Sequence, residues 1–155
     1  MTNRTLALDD TLYEYLKSVS LREPEILRRL RKKTTALTQH YMQISPEQGQ
    51  FMGLLVELIQ AHKCLEIGTF TGYSALSVAR KLPNSGSLIA CDISQDFINH
   101  AKPFWKEAGV ADKIDIRIGP AIDTLDGLIA NGEISTFDFT FIDADKINYL
   151  RYFQR

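Results

Sequence analysis

The sequence predicts an α/β fold in which a parallel sheet is covered by helices on both faces. Three observations lead to this prediction: short apolar segments with strand character, helical segments that alternate with them, and a glycine turn between the first strand and its helix. The predicted strands span residues 63–67, 87–91, 114–118 and 137–142, and the helical segments between them span residues 73–81, 95–108 and 121–130. Such alternation favours parallel strands joined by right-handed crossovers.

Three further helices are predicted before the first strand. Apolar residues recur at helical spacing between residues 9 and 37, which indicates two leading helices, with Pro24 near the start of the second. Ser45 is placed to N-cap a third helix that has Pro46 at its first position and is expected to run to about His62.

Composition indicates one globular domain over residues 1–155. Hydrophobic residues make up 45% and charged residues 24%, as in an ordinary packed protein. The formal net charge of -1 argues against nucleic acid or an anionic membrane as a partner. The basic stretch at residues 22–33 is interpreted as a solvated helix face, because Glu23 and Glu25 precede its cations and a helix tolerates cations near its C-terminal end.

The cysteines and the N-terminus indicate the cellular compartment of the protein. Cys64 and Cys91 each lie in an apolar run and do not resemble a disulfide framework. Residues 1–10 contain neither a signal core nor a stretch long enough to span a bilayer. A cytoplasmic location without membrane insertion is therefore expected.

The turn after the first strand, residues 68–72, is the most informative segment. Its glycines allow a ligand to approach the backbone closely, although any strand-to-helix turn can use glycine. Asp92 follows Gly68 by about 24 residues, at the end of the second strand, where a carboxylate can accept hydrogen bonds from both hydroxyls of a ribose. The alternative for Asp92 is an N-cap of the helix that starts near Ser94, and the two roles can coexist.

The glycine pattern distinguishes between cofactors. A dinucleotide fingerprint needs G-x-G-x-x-G, but this turn has only Gly68 and Gly72, and Thr69 and the residue after it are not glycines. Glu66 adds a carboxylate that would repel a pyrophosphate and would suit a ligand with an amino group or a sulfonium. S-adenosylmethionine carries both groups, so it is favoured over NAD.

Charged residues follow the fourth predicted strand. Asp143, Asp145 and Lys146 are expected to share a crevice with Gly68 and Asp92, because ligands bind outside the carboxyl ends of parallel strands. Two carboxylates one residue apart can supply oxygen ligands to a magnesium-type cation. The alternative is a polar loop in which Asp145 caps the next helix.

Five blocks together resemble the caffeoyl-CoA O-methyltransferase family, with catechol O-methyltransferase as a more distant relative. The blocks match that family in order and spacing, and the resemblance covers the chain from about Thr11 onward. They are residues 42–52, 65–74, 108–110, 118–121 and 137–149. The resemblance implies a Rossmann-like class I methyltransferase fold, S-adenosylmethionine, a divalent cation such as Mg²⁺, and a small phenolic substrate.

The resemblance also implies roles for individual residues. Asp92 matches the ribose contact and Ile44 a cofactor-facing backbone position, and Thr69 belongs to the predicted cofactor loop. Asp143 matches a metal ligand, Asp145 a substrate-side position, and Lys146 the proposed general base. The other matched cofactor contacts are Glu66, Gly68, Ser74 and Ala121.

One departure from the family pattern leaves alternatives open. The family completes its metal site with an Asp-Asn pair on the next strand and adds three further strands, neither of which occurs before Arg155. We therefore expect an unpaired edge on the fourth strand, and a chain that is unstable, exchanged between protomers or part of something longer. The favoured function is a homodimeric O-methyltransferase of a catechol-like, hydroxycinnamoyl or flavonoid hydroxyl. The alternatives are a catalytically silent cofactor-binding or dimerisation module and, disfavoured by the missing third glycine, a nicotinamide-dependent oxidoreductase.

Overall fold

A computed structural model describes residues 7–155 of the chain. The expectation for the N-terminus falls partly on residues 1–6, which lie outside this range. The helices are α1 (Asp10–Ser20), α2 (Glu25–Thr34), α3 (Pro46–Leu58), α4 (Tyr73–Ala79), α5 (Gln95–Glu107), α6 (Ala121–Ala130) and α7 (Tyr149–Phe153). The strands are β1 (Lys63–Ile67), β2 (Ser87–Asp92), β3 (Ile114–Ile118) and β4 (Phe139–Ile142).

The four strands form one parallel sheet in the order β3-β2-β1-β4. Leu65 of β1 pairs with Ile89 of β2 on one side and with Thr140 of β4 on the other. The chain first moves outward from β1 through β2 to β3 and then returns to the opposite side of β1. Such a reversal opens a crevice at the carboxyl ends of the strands, where ligands bind in folds of this kind.

Two apolar clusters pack on opposite faces of the sheet. Alternate residues along β1 point to opposite faces, so Cys64 joins the cluster formed with α2, α3, α4 and α5, and Leu65 joins the cluster formed with α6 and α7. Helices therefore cover both faces, which confirms the predicted fold class. In contrast, α1 has no buried residue.

Several predicted boundaries were wrong. α4 ends at Ala79 and not at 81, and the ends of α5 and β2 differ from the prediction by one residue. β4 begins at Phe139 and not at 137, because the side chain of Asp138 accepts hydrogen bonds from the backbone N–H groups of His62 and Lys63 and caps the start of β1. α3 ends at Leu58 and not near residue 62, because Gln60 takes a left-handed conformation (φ 54°) that ends the helix. The predicted cap of α3 is confirmed, since Ser45 Oγ accepts from the N–H of Gln48 at 3.3 Å.

The part of the chain described here contains no helix that is both long and apolar enough to cross a membrane.

Candidate functional site

A cavity of about 840 Å³ opens at the carboxyl ends of the strands. Its walls come from the loops after β1, β2 and β4, from the segment before α3 and from the start of α6. Nine of the ten site residues predicted from sequence line it: Ile44, Gly68, Thr69, Ser74, Asp92, Ala121, Asp143, Asp145 and Lys146. Only Glu66 does not, and its hydrogen bond to Ser74 places it directly behind the wall.

The loop of residues 68–72, called here the glycine loop, lies close to the end of β4. A Cβ atom on Gly68 would come within 2.6 Å of the backbone oxygen of Asp143, so no larger residue fits there without moving β4. Gly68, Phe70 and Gly72 all have positive φ angles, of 91°, 50° and 78°. This backbone turns sharply, and contacts from neighbouring elements hold it.

Asp92 is one of those contacts. Its Oδ2 atom accepts hydrogen bonds from the N–H groups of Thr69 at 3.0 Å and Phe70 at 2.7 Å, and its Oδ1 atom accepts from the N–H of Ser94 at 2.8 Å. The alternative role as the cap of α5 was wrong, because the side chain of Ser94 accepts from the N–H of Phe97 and is itself the N-cap. A carboxylate has about four acceptor positions, so Asp92 keeps capacity for a ligand hydroxyl.

Glu66 is a buried carboxyl group with an incomplete set of hydrogen bonds. Only 1% of the residue is exposed, its Oε1 atom accepts from Ser74 Oγ at 2.7 Å, and its Oε2 atom has no partner. Burial, together with the nearby charges of Asp143 and Asp92, raises the pKa of Glu66 to about 8, against the lowering effect of the hydrogen bond from Ser74. An unpartnered buried carboxylate is costly, so this position suits a cationic group supplied by a ligand.

Lys146 and Asp143 interact directly at the end of β4. Lys146 Nζ donates to the phenol oxygen of Tyr149 at 2.7 Å and to Asp143 Oδ1 at 3.2 Å, and Tyr149 in turn donates to the backbone oxygen of Ile142 at 2.8 Å. The hydrogen bond to Tyr149 raises the pKa of Lys146, desolvation opposes it, and the hydrogen bond to Asp143 adds to the increase, so the pKa is raised overall. The amine is therefore an ammonium group in this arrangement.

Asp145 performs the capping role that the sequence had left as an alternative. Its Oδ2 atom accepts from the backbone N–H of Asn148 at 3.1 Å and from the side-chain amide of Asn148 at 2.7 Å, and its Oδ1 atom accepts from Tyr152. The hydrogen bond from Tyr152 lowers the pKa of Asp145. Asp143 is thus the carboxylate with more open coordination capacity.

A complete cation site is not found within the described range of 7–155, where no group of three or more His, Cys, Asp or Glu side chains could hold a metal ion. Asp143 offers one carboxylate toward the cavity, and magnesium sites often use one or two carboxylates together with waters or substrate oxygens.

The family model for O-methyltransferases matches residues 17–155. The chain belongs to the O-methyltransferase family. This family member is 44% identical over 155 residues to the caffeoyl-CoA O-methyltransferase of Eucalyptus gunnii, covering 99% of the present chain and 62% of the relative. It is also 44% identical to the catechol O-methyltransferase domain-containing protein 1 of Mus musculus, covering 95% of the present chain and 56% of that protein. The resemblance read from the five blocks is confirmed.

Solved structures agree with the assignment. An O-methyltransferase from Bacillus cereus in complex with SAH matches with a TM-score of 0.83 and 33% identity, over 93% of the present chain and 65% of that structure. This O-methyltransferase family member therefore spans less than two thirds of the length of these relatives.

Three features of the site were missed by sequence reasoning. Gln43 lines the cavity and has a buried side-chain nitrogen without a partner. Thr71 lines the cavity and its hydroxyl contacts Thr34 of α2, and the hydroxyl of Tyr149 contacts Lys146. Gln43 precedes the predicted Ile44, and Thr71 lies two residues after the predicted Thr69, so proximity in sequence was the available signal, whereas the contact between Tyr149 and Lys146 depends on the turn after β4.

Proposed function

We propose that this chain is the cofactor-binding part of an S-adenosylmethionine-dependent O-methyltransferase that also depends on a divalent cation. The observation that carries the proposal is the buried Glu66 carboxyl, which has an unpartnered oxygen behind a cavity lined by the other nine predicted residues. The SAH complex of the Bacillus cereus relative supports the choice of cofactor.

The residues of the cavity fit the parts of S-adenosylmethionine. Glu66 is suited to receive the ammonium end of the methionine moiety, because a nearby cation stabilises its ionised form. Asp92 is placed at the end of β2 to accept a hydrogen bond from a ribose hydroxyl with its remaining acceptor position. Gly68 lets the ligand approach the backbone, and Ile44 and Ala121, which also line the cavity, would supply further contacts.

We propose that the acceptor is a hydroxyl of a catechol-like, hydroxycinnamoyl or flavonoid compound. The names of the two relatives, which mention catechol and caffeoyl-CoA, support the first two of these classes. Asp143 would hold the cation, which when bound lowers the pKa of a coordinated hydroxyl. Asp145 also lines the cavity, and we propose that it faces the substrate. Binding both reactants in one cavity would align the acceptor oxygen with the methyl group.

Lys146 is proposed as the group that accepts the proton from the acceptor hydroxyl. In the present arrangement its contacts with Tyr149 and Asp143 favour the ammonium form. A role as general base therefore requires that Asp143 releases Lys146 when substrate is bound. Until then Lys146 can only donate hydrogen bonds.

We also propose a homodimer and a cytoplasmic location. Exposed apolar side chains on α1 and α3, such as Tyr15 (65% exposed) and Leu58 (68% exposed), offer surface for a second protomer. Cys64 and Cys91 are free and buried, in keeping with a reducing compartment.

A silent cofactor-binding or dimerisation module is the second candidate, and the single carboxylate offered by Asp143 favours it. The two candidates differ in turnover. Methyl transfer from labelled S-adenosylmethionine to catechol and to a caffeoyl compound would be measured with added Mg²⁺ and with a chelator. Magnesium-dependent transfer supports the enzyme, whereas cofactor binding without transfer under either condition supports the silent module.

A further inference from the structure

Helix α2 and the residue pair just before it do not line the cavity, but two of their side chains hold residues of the cavity wall, one in the glycine loop and one at the start of α4. Thr34 Oγ1 lies 2.8 Å from Thr71 Oγ1 at the C-terminal end of α2. Just before α2, Glu23 Oε1 accepts a 2.6 Å hydrogen bond from the hydroxyl of Tyr73. Thr71 and Tyr73 both line the cavity, so each contact joins the α2 segment to a wall of the site.

The donor and the acceptor of the hydrogen bond between Thr34 and Thr71 can be assigned. Thr34 and Thr71 are only 2% and 1% exposed, so water cannot replace either partner. Thr34 Oγ1 also donates to the backbone oxygen of Leu30 at 3.1 Å, which uses its single hydrogen. Thr71 therefore donates to Thr34, and removal of the Thr34 hydroxyl would leave the Thr71 hydroxyl unsatisfied inside the protein.

The second contact is fixed by charge. The side chain of Glu23 is 7% exposed and receives two hydrogen bonds from the guanidinium of Arg31, at 2.9 Å and 2.7 Å. Burial raises the pKa of Glu23, but the hydrogen bonds from Arg31 and Tyr73 outweigh burial and lower it overall. The Glu23 carboxylate therefore stays ionised, and it fixes the Tyr73 hydroxyl by accepting its hydrogen bond.

The glycine loop needs such support. Phe70, a residue with a Cβ atom, adopts a φ of 50°, a conformation that L-residues rarely take. From the sheet side the loop is held by Asp92, and from α5 by Trp105, whose ring N–H donates to the backbone oxygen of Gly72 at 3.2 Å. Asp92 and Trp105 form no hydrogen bond with Thr71 in the loop or Tyr73 at the start of α4. These are the two residues that the α2 segment contacts.

We infer that Thr34 and Glu23 are positioning residues for the cofactor, and that α2 sets its affinity by fixing Thr71 and Tyr73 in the wall of the cavity. The identity of the cofactor in this inference rests on the proposed function. In this way α2, a helix that precedes the first strand and does not line the cavity, contributes to cofactor binding without touching the ligand.

The test compares Thr34→Val with Thr35→Val. Thr35 is the neighbouring residue, and its exposed hydroxyl donates only to the backbone oxygen of Lys32 at 2.7 Å, so the two substitutions are chemically identical. Amide hydrogen exchange of residues 69–74 would be measured on the full chain without ligand, and calorimetry would give the affinity for S-adenosylhomocysteine. We expect Thr34→Val to speed exchange at these amides and to weaken binding about fivefold to tenfold, whereas Thr35→Val changes neither.

Three further variants separate positioning from a general loss of stability. Thr34→Ser keeps the hydroxyl and is expected to restore affinity, and Thr34→Val in a Thr71→Val background is expected to have no further effect. Tyr73→Phe, which removes only the hydroxyl that contacts Glu23, should show the same pattern as Thr34→Val.

Three results would overturn the inference: equal exchange and affinity in Thr34→Val and Thr35→Val, failure of Thr34→Ser to restore binding, or an undiminished effect of Thr34→Val in the Thr71→Val background. Failure of the unmodified chain to bind S-adenosylhomocysteine would instead count against the proposed function, and the exchange comparison would still decide whether α2 holds the loop.

Discussion

Ser74 donates a 2.7 Å hydrogen bond to one carboxylate oxygen of Glu66, and the other oxygen of Glu66 has no partner. The pair joins the end of β1 to the first turn of α4 across the glycine loop. Because the carboxyl is buried, its pKa rises to about 8. The free protein therefore carries a protonated Glu66 near neutral pH, and a cationic ligand would favour its ionised form.

The first prediction concerns stability and pH. The pKa of Glu66 is raised from 4.5 to about 8 in the folded state, so the folded protein binds more protons than the unfolded chain within this window. The contribution of Glu66 to stability is therefore fully present below about pH 4.5 and is lost as pH rises through about 8.

Urea unfolding of the unmodified chain and of Glu66→Gln at about pH 5 and about pH 8 would measure this effect. Glu66→Gln lacks the titrating group, so its stability relative to the unmodified chain is expected to improve as pH rises. A difference between the two proteins that stays constant with pH would contradict the raised pKa.

The second prediction uses a matched pair of glycines. Gly68 and Gly109 both have positive φ angles, of 91° and 68°, but only Gly68 lacks space for a Cβ atom. Gly68→Ala is expected to cost about 2–4 kcal/mol of unfolding free energy, and Gly109→Ala about 1 kcal/mol. Similar losses of unfolding free energy in the two variants would contradict this prediction, because they would mean that the end of β4 moves away from the added methyl group at no cost.

The sequence was sufficient to predict the succession of strands and helices along the chain and the location of the cavity. The pattern of apolar segments predicted the parallel sheet, and the positions of Gly68, Asp92 and Asp143 after three strands placed them at one edge. That inference needs only the rule that parallel strands end on the same side of a sheet. It does not need side-chain geometry.

Other features depend on tertiary contacts and could not be predicted locally. The end of α3 is marked by Gln60 in a left-handed conformation, where a glycine would have been the usual signal. The start of β4 depends on where the side chain of Asp138 finds backbone donors. The contact between Thr34 and Thr71 joins residues 37 positions apart, so neither sequence neighbourhood indicates it.

The third prediction concerns Asp92. Its carboxylate accepts from two N–H groups of the glycine loop, so Asp92→Ala would leave both donors without this partner. We expect a loss of about 2–3 kcal/mol in the free energy of unfolding together with loss of cofactor binding. Asp112→Ala, at an exposed aspartate, serves as the control and is expected to change stability by no more than about 0.5 kcal/mol.

A partial recovery is expected for Asp92→Asn, because the amide oxygen can still accept from the loop. Thermal unfolding would measure the stability of Asp92→Ala, Asp92→Asn and Asp112→Ala, and calorimetry would measure their cofactor affinity. Asp92→Asn is expected to lie between the other two in both quantities. Full cofactor affinity in Asp92→Ala would be incompatible with the role given to this carboxylate.

The central claim is that the cavity binds S-adenosylmethionine and not a dinucleotide. Calorimetric titration of the chain with S-adenosylhomocysteine and, separately, with NAD tests it most directly, with Glu66→Gln as the comparison. The account predicts saturable binding of one S-adenosylhomocysteine per chain, about tenfold weaker binding in Glu66→Gln, and no heat from NAD. Binding of NAD in the absence of any binding of S-adenosylhomocysteine would contradict it.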